Sequence, residues 1–215
     1  MVYIVRYDKK GMTRKEDYAR QKMISRTLLD YAFVKEYDIR PDFSKLKRGE
    51  HGKPYFDGLN IEYNISNTKG LVCCVLSESE VGIDIEGYRD FNERLIKRVC
   101  DESEINQIMR SPNPAFTFIK FWTLKESYLK YTGEGLWGGT KNNVFYYENN
   151  KPYKKDGSVF IEQTVLNIDK ELYSVSLCSG KKLKLEIEFV KENDLYLYDS
   201  PSLSVTEYIN YVEDK

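Results

Sequence analysis

Histidine is nearly absent: His51 is the only one in 215 residues. A Ser-His-Asp hydrolase would have to use it, and no Gly-x-Ser-x-Gly elbow accompanies it, so that chemistry is discounted. Cysteine is sparse: Cys73, Cys74, Cys100 and Cys178 include no Cys-x-x-Cys pair. This is neither a disulfide framework nor a zinc site, and buried free thiols in a reducing compartment are expected. Neither a P-loop nor a Gly-x-Gly-x-x-Gly turn is present. No apolar run approaches membrane-spanning length, and the strand-like opening Met1 to Asp8 turns polar too soon for a signal-peptide core. A cytoplasmic protein with no membrane partner is expected. An excess of charge is lacking too: 33 Lys+Arg against 34 Asp+Glu gives −1. That argues against nucleic acid as a partner, which calls for a basic face.

What is present reads as globular. Hydrophobic residues make up 41% and charged residues 31%, and 18 tyrosines give core and clefts amphipathic bulk. Residues 2–7 alternate as a strand, and 14–37 place Met23, Ile24, Leu28, Leu29, Ala32 and Phe33 at helical spacing. A basic loop with Lys45, Lys47 and Arg48 leads to a turn at His51-Gly52-Lys53-Pro54. Strands are predicted at 59–65, 71–76 and 81–86. A helix follows over 91–109, interrupted near Asp101-Glu102-Ser103, then a stronger one over 115–131 that stops at Gly133-Glu134-Gly135. Strands are predicted again at 142–148, 158–164, 172–178 and 182–190, and a short helix at 203–213. The reading is α+β, two sheet-plus-helix halves, 1–100 and 101–215, without regular βαβ spacing.

Carboxylates carry the chemistry. In Val81-Gly82-Ile83-Asp84-Ile85-Glu86, strand alternation puts Val81, Ile83 and Ile85 on one face and Gly82, Asp84 and Glu86 on the other. Two carboxylates on one face repel unless a cation lies between them, and Mg²⁺ prefers a few carboxylates plus substrate phosphates. An ordinary polar strand face is the plainer alternative. On the following helix Phe118, Trp122, Glu126 and Lys130 form one i, i+4 stripe. Glu126 is either the third carboxylate of a Mg²⁺ triad or half of a surface pair with Lys130. Lys53, Arg14, Arg26 and a loop Ser66-Asn67-Thr68-Lys69-Gly70, able to form an anion nest, suit an anionic ligand.

Taken in order, Gly52-Lys53-Pro54, Asn64-Ile65-Ser66-Asn67-Thr68, Gly82-Ile83-Asp84-Ile85-Glu86, Phe121-Trp122-Thr123-Leu124-Lys125-Glu126-Ser127-Tyr128-Leu129-Lys130 and Gly133-Glu134-Gly135-Leu136 resemble the 4′-phosphopantetheinyl transferases of the surfactin-synthetase-activating type. The resemblance spans roughly residues 14–195. It implies an α+β pseudo-dimer of two similar halves in one monomeric chain. The implied activity is Mg²⁺-dependent transfer of phosphopantetheine from coenzyme A to a serine of an acyl or peptidyl carrier protein, releasing 3′,5′-ADP. It implies Asp84, Glu86 and Glu126 as metal ligands and Lys130 beside the transferring phosphate. Lys53, Ser66, Asn67 and Thr27, and more loosely Arg14 and Arg26, would contact coenzyme A, and Glu104 would stand near the metal water or the incoming serine. Glu126, Glu104 or a metal-bound water would take the serine proton. Arg94, Lys97, Arg98 and Met109 are candidates for carrier docking. One departure is Asn67, where the family has histidine; a charge-assisted contact is lost, and weaker coenzyme A affinity is expected.

Two other readings remain. A metal-dependent nuclease would want a lysine two residues beyond the strand acid, where this chain has Tyr88, and a more basic charge. A non-catalytic coenzyme A or carrier binder would rest on Asn67 alone.

Overall fold

A computed structural model describes residues 1–89, 92–135 and 139–195. The chain begins with β1 (Val2–Arg6) and α1 (Arg14–Tyr37), then a short hairpin, β2 (Leu46–Arg48) and β3 (Pro54–Phe56), and then β4 (Glu62–Thr68) and β5 (Leu71–Ser77). It continues with β6 (Val81–Gly87), α2 (Glu93–Val99), α3 (Glu102–Arg110), α4 (Pro114–Thr132), a hairpin of β7 (Tyr146–Glu148) and β8 (Lys151–Tyr153), β9 (Phe160–Ile168), β10 (Glu171–Ser179), β11 (Ile187–Val190) and the single turn α5 (Glu192–Leu195).

The helices start and stop for local reasons. Thr13 caps α1 and closes a capping box with Glu16, while Asp38 ends it in the left-handed conformation. Asn113 caps α4, Pro114 occupies its first turn, and Gly133 ends it at φ 74°. The predicted 91–109 helix divides into α2 and α3 because Asp101 caps a new helix and Glu104 completes its capping box. Strands predicted at 142–148 and 182–190 shorten to β7 and β11, and β2, β3 and β8 escaped prediction. The helix expected at 203–213 lies outside the described residues.

The two halves repeat one plan. In the first, β1 pairs antiparallel with β5 and β5 with β4; in the second, β6 pairs antiparallel with β10 and β10 with β9. Each half is thus strand, helix, hairpin, with the last strand in the middle. Tight turns close both hairpins: Gly70 takes φ 77° between β4 and β5, and Asp169 and Lys170 take φ 52° and 68° between β9 and β10. A division at residue 100 puts β6 with the first half, but its ladder partner is β10, so the sheets divide between Ser77 and Val81. The halves also exchange an element: β11 runs parallel to β1 and completes the first sheet.

Strand alternation stacks the layers. Val72, Cys74 and Leu76 of β5 pack with Ile24, Leu28 and Phe33 of α1. The opposite face, Cys73 and Val75, meets Val81, Ile83 and Ile85 of β6 and Val175 and Leu177 of β10. Phe118, Phe121 and Leu124 of α4 pack with Ile96, Ile108 and Phe145. All four cysteines are free and buried, and burial pushes the thiols of Cys73, Cys100 and Cys178 up to about 12.

Candidate active site

The face of β6 that carries Gly82, Asp84 and Glu86 lies under α4. Gly82 is what lets it lie there. A Cβ at this position would come within 2.1 Å of the Ser127 carbonyl oxygen and 2.3 Å of the Tyr131 nitrogen. Only a residue without a side chain admits the helix so close. That approach delivers Glu126 and Lys130, one turn apart on α4, to the Asp84 side of the strand.

Lys130 crosses to β6 rather than pairing along its own helix. Its Nζ donates to Asp84 Oδ1 at 2.7 Å, Ser66 Oγ at 2.9 Å and the Ile83 carbonyl at 3.2 Å. Burial pulls its ammonium down, but Asp84 at contact distance outweighs it and the net shift is upward. All three N–H groups of the ammonium are therefore spent inside the protein.

Strand β4 completes the arrangement from the other half. Asn64, Ser66 and Thr68, alternate residues on one face, meet β6 in step. Asn64 Oδ1 accepts from the Ile83 N–H at 3.0 Å, Ser66 Oγ donates to Asp84 Oδ1 at 2.7 Å, and Thr68 Oγ1 donates to Glu86 Oε2 at 3.0 Å. Ser66 Oγ also accepts, at 3.4 Å, from the Ile85 N–H. The anion nest expected at 66–70 is not formed, because Ser66, Asn67 and Thr68 are strand residues registered with Cys73, Val72 and Leu71. Their alternation sends Ser66 and Thr68 to the carboxylates and leaves Asn67 exposed on the other face.

Asp84, Glu86 and Glu126 influence one another. Burial, then the Asp84 charge, raises the carboxyl of Glu86. Burial, then Asp84 and also Glu86, raises that of Glu126. Arg89 and Lys130 pull both back down. The second oxygen of Asp84, Oδ2, is buried without a hydrogen-bond partner. A buried, unpartnered carboxylate oxygen amid further carboxylates is the donor set that a hard divalent cation satisfies. Among the described residues, however, no three His, Cys, Asp or Glu side chains already close around a single point.

Two adjoining clefts share Leu46, Arg48, Tyr63 and Ile65, the first reaching Glu126 and Lys130 and the second reaching α1. One, of about 430 Å³, is lined by Glu126, Lys130, Lys53, His51 and Arg48 among others. The other, of about 330 Å³, is lined by Lys22, Arg26, Arg48 and Asn67, with Tyr18 and Phe43. Arg26 lies over the Phe43 ring at 4.3 Å. Arg14 is exposed at the start of α1, on the stripe that continues through Tyr18, Lys22 and Arg26. Thr27 is turned inward instead: it is buried and donates to the Met23 carbonyl at 2.8 Å. Lys53 lines the first cleft but is bonded to Glu80 and the Tyr131 carbonyl.

Glu104 does not join the cluster. It is fully buried. Its Oε1 accepts from the Phe145 N–H at 2.9 Å, and its Oε2 accepts from the Asp101 N–H at 2.9 Å and pairs with Lys125 Nζ at 2.8 Å. Lys125, buried as well, also donates to the carbonyls of Thr140 and Asn143. This pair ties α3 and α4 to the chain over 140–145, so Glu104 is a bolt in the interior rather than a group open to an incoming serine. Its capping-box spacing from Asp101 was a sequence signal only that one of its oxygens is engaged at the start of α3.

Sequence reasoning missed Arg89. It lies over the Trp122 ring at 5.2 Å and adjoins Glu86 in a third cleft of about 550 Å³, with Thr68, Lys69 and Lys170. Its spacing, three residues after Glu86, was the only sequence clue. Lys22 and Arg48 were likewise unassigned.

Residues 80–178, which hold β6, α4 and β10, match the family model described as the 4′-phosphopantetheinyl transferase superfamily. The 4′-phosphopantetheinyl transferase gsp of Aneurinibacillus migulanus is 30% identical over 176 residues, covering 75% of this chain and 71% of that protein. The chain belongs to the 4′-phosphopantetheinyl transferase superfamily. The 4′-phosphopantetheinyl transferase Sfp of Bacillus subtilis is 27% identical over 125 residues, covering 57% of this transferase and 55% of its relative. A solved holo-[acyl-carrier-protein] synthase of Thermotoga maritima aligns with a TM-score of 0.38 at 22% identity, over 48% of this chain and 65% of that one.

Proposed function

We propose that the chain transfers the 4′-phosphopantetheine group of coenzyme A to a serine hydroxyl of an acyl or peptidyl carrier protein, with Mg²⁺ held by Asp84, Glu86 and Glu126. The observation that carries this reading is the unpartnered Asp84 Oδ2, buried near Glu86 and Glu126, the latter lining a cleft together with Arg48 and Lys53. Family membership supplies the reaction class, and this cluster is where its chemistry fits. The bound metal would neutralise pyrophosphate charge and favour displacement at phosphorus.

The residues divide the remaining work. Lys53, Arg48 and, further along α1, Lys22, Arg26 and Arg14 offer cations to the phosphates of coenzyme A, with Asn67 as a neutral hydrogen-bonding neighbour. The serine oxygen forms a bond to the β-phosphorus of coenzyme A, and the bond from that phosphorus to the bridging oxygen breaks, so 3′,5′-ADP departs with the electron pair. The serine proton must pass to a base within reach. Glu126, half-buried at the cleft, meets that need by its position; Glu104, sealed in the interior, does not. Lys130 holds Asp84 and Ser66 in place through its contacts at 2.7 and 2.9 Å, and in this role it acts through them. The exposed Arg94, Lys97 and Arg98 of α2, with Met109 of α3, offer the carrier a docking face. No described helix is long and apolar enough to cross a membrane.

Intact-protein mass spectrometry of an apo carrier after incubation with this protein, coenzyme A and Mg²⁺ tests the proposal. The expected result is a gain of one phosphopantetheine mass, abolished by EDTA. No gain on any of several unrelated carriers would overturn it.

A further inference from the structure

Lys53 lines the cleft assigned above to coenzyme A, yet its ammonium is turned to acids of its own chain. Nζ donates to Glu80 Oε2 at 2.5 Å and to the Tyr131 carbonyl at 3.1 Å, and a second carboxylate, Glu62 Oε2, lies at 3.8 Å. One cation thus faces two carboxylates and the carbonyl end of α4, where the helix dipole is negative. Its negative surroundings exceed its charge. Glu62 registers the surplus, since its carboxyl is raised by burial first and by the Glu80 charge second.

The two acids are held differently. Glu62 is a strand residue of β4 with 31% of its side chain exposed. Glu80 lies in the turn between β5 and β6 with 58% exposed, so water solvates its carboxylate wherever it swings. A carboxylate so exposed gains little from its partner and gives way readily to a phosphate, which carries more charge and more acceptor oxygens. Glu62 would stay with Lys53 after the exchange.

We propose that Glu80 is an internal competitor for Lys53: its carboxylate holds the ammonium until a phosphate of the ligand displaces it, and Glu80 thereby sets the affinity of the cleft for coenzyme A. The proposal rests on the coenzyme A reading above. It makes Glu80 an affinity-setting residue that acts through Lys53 and touches no reacting atom.

Titration calorimetry with coenzyme A on the full chain tests it, using the wild type, Glu80→Gln, Lys53→Met and the double variant. Glu80→Gln should bind coenzyme A about three- to fivefold more tightly, the scale of a part-exposed ion pair. Lys53→Met should bind more weakly, and the double variant should match Lys53→Met, because the competitor has lost its target. Equal or weaker binding by Glu80→Gln overturns the proposal while leaving the coenzyme A reading in place. A purely structural Glu80 would give that result together with a lower melting temperature. A wild type that does not bind coenzyme A removes both.

Discussion

Lys130 Nζ stands 2.7 Å from Asp84 Oδ1, and that contact joins the helix of one motif to the strand of the other. Asp84 is almost wholly buried, and Lys130 is its only ion-pair partner among the described residues. Removing the lysine leaves a buried carboxylate uncompensated. Lys130→Met should therefore destabilise the fold by about 3 kcal/mol and abolish transfer. Asp84→Asn in the same chain should restore much of the stability without restoring transfer. Urea midpoints alongside the carrier mass assay check both.

Gly82→Ala tests the close approach of α4 to β6. The added methyl would overlap helix backbone, which cannot swing aside as a side chain would. A loss of at least about 1–3 kcal/mol is expected from overpacking, with transfer falling further than stability because Glu126 and Lys130 move off register. Chemical denaturation and the activity of the folded fraction separate the two effects.

Glu104→Gln discriminates between an interior bolt and a general base. As a bolt it should cost about 3–5 kcal/mol, since Lys125 is left buried without its carboxylate partner, and activity should follow the folded population. A variant that keeps wild-type stability but loses turnover would restore Glu104 to a chemical role.

The pH dependence of Glu126→Gln has a definite sign. Its carboxyl is raised by burial and by the Asp84 charge, so the folded state holds that proton more tightly than the unfolded chain does. The wild type is therefore penalised as pH rises from the ordinary glutamate range through the raised value. In metal-free buffer the variant should match the wild type at low pH and become the more stable protein at neutral pH, while losing transfer. Melting curves from pH 4 to 8 with EDTA measure the difference, and a constant offset would contradict the raised carboxyl.

Asn67→His should lower the Michaelis constant for coenzyme A severalfold at pH 6 and less at pH 8, as the imidazole loses its charge. An unchanged constant at both pH values would show that this exposed strand position does not meet the ligand.

The elements of the site were legible in sequence because each is marked by local periodicity. The strand alternation of Gly82, Asp84 and Glu86, and the four-residue stripe ending at Lys130, hold in the structure. Their mutual arrangement was less legible. Which acid Lys130 chooses depends on how near α4 lies to β6, a distance that the missing side chain at Gly82 permits. Ser66-Asn67-Thr68 read as a loop because small polar residues favour turns, yet cross-strand pairing with Cys73, Val72 and Leu71 prevailed. Glu104 and Lys125 are partners across packed helices, a relation no local pattern encodes. The strands β2, β3 and β8, three residues each, are too brief to leave an apolar alternation.

The parallel pairing of β1 with β11 bears on synthesis. As the chain leaves the ribosome, β1 emerges early, but one of its edges has no partner until nearly all the described chain has followed. A nascent first half is therefore an unfinished sheet with an open, apolar border, prone to pair with a neighbouring nascent chain. Contacts so distant along the chain close slowly, and among the described strands the last to be made is the one that seals the first.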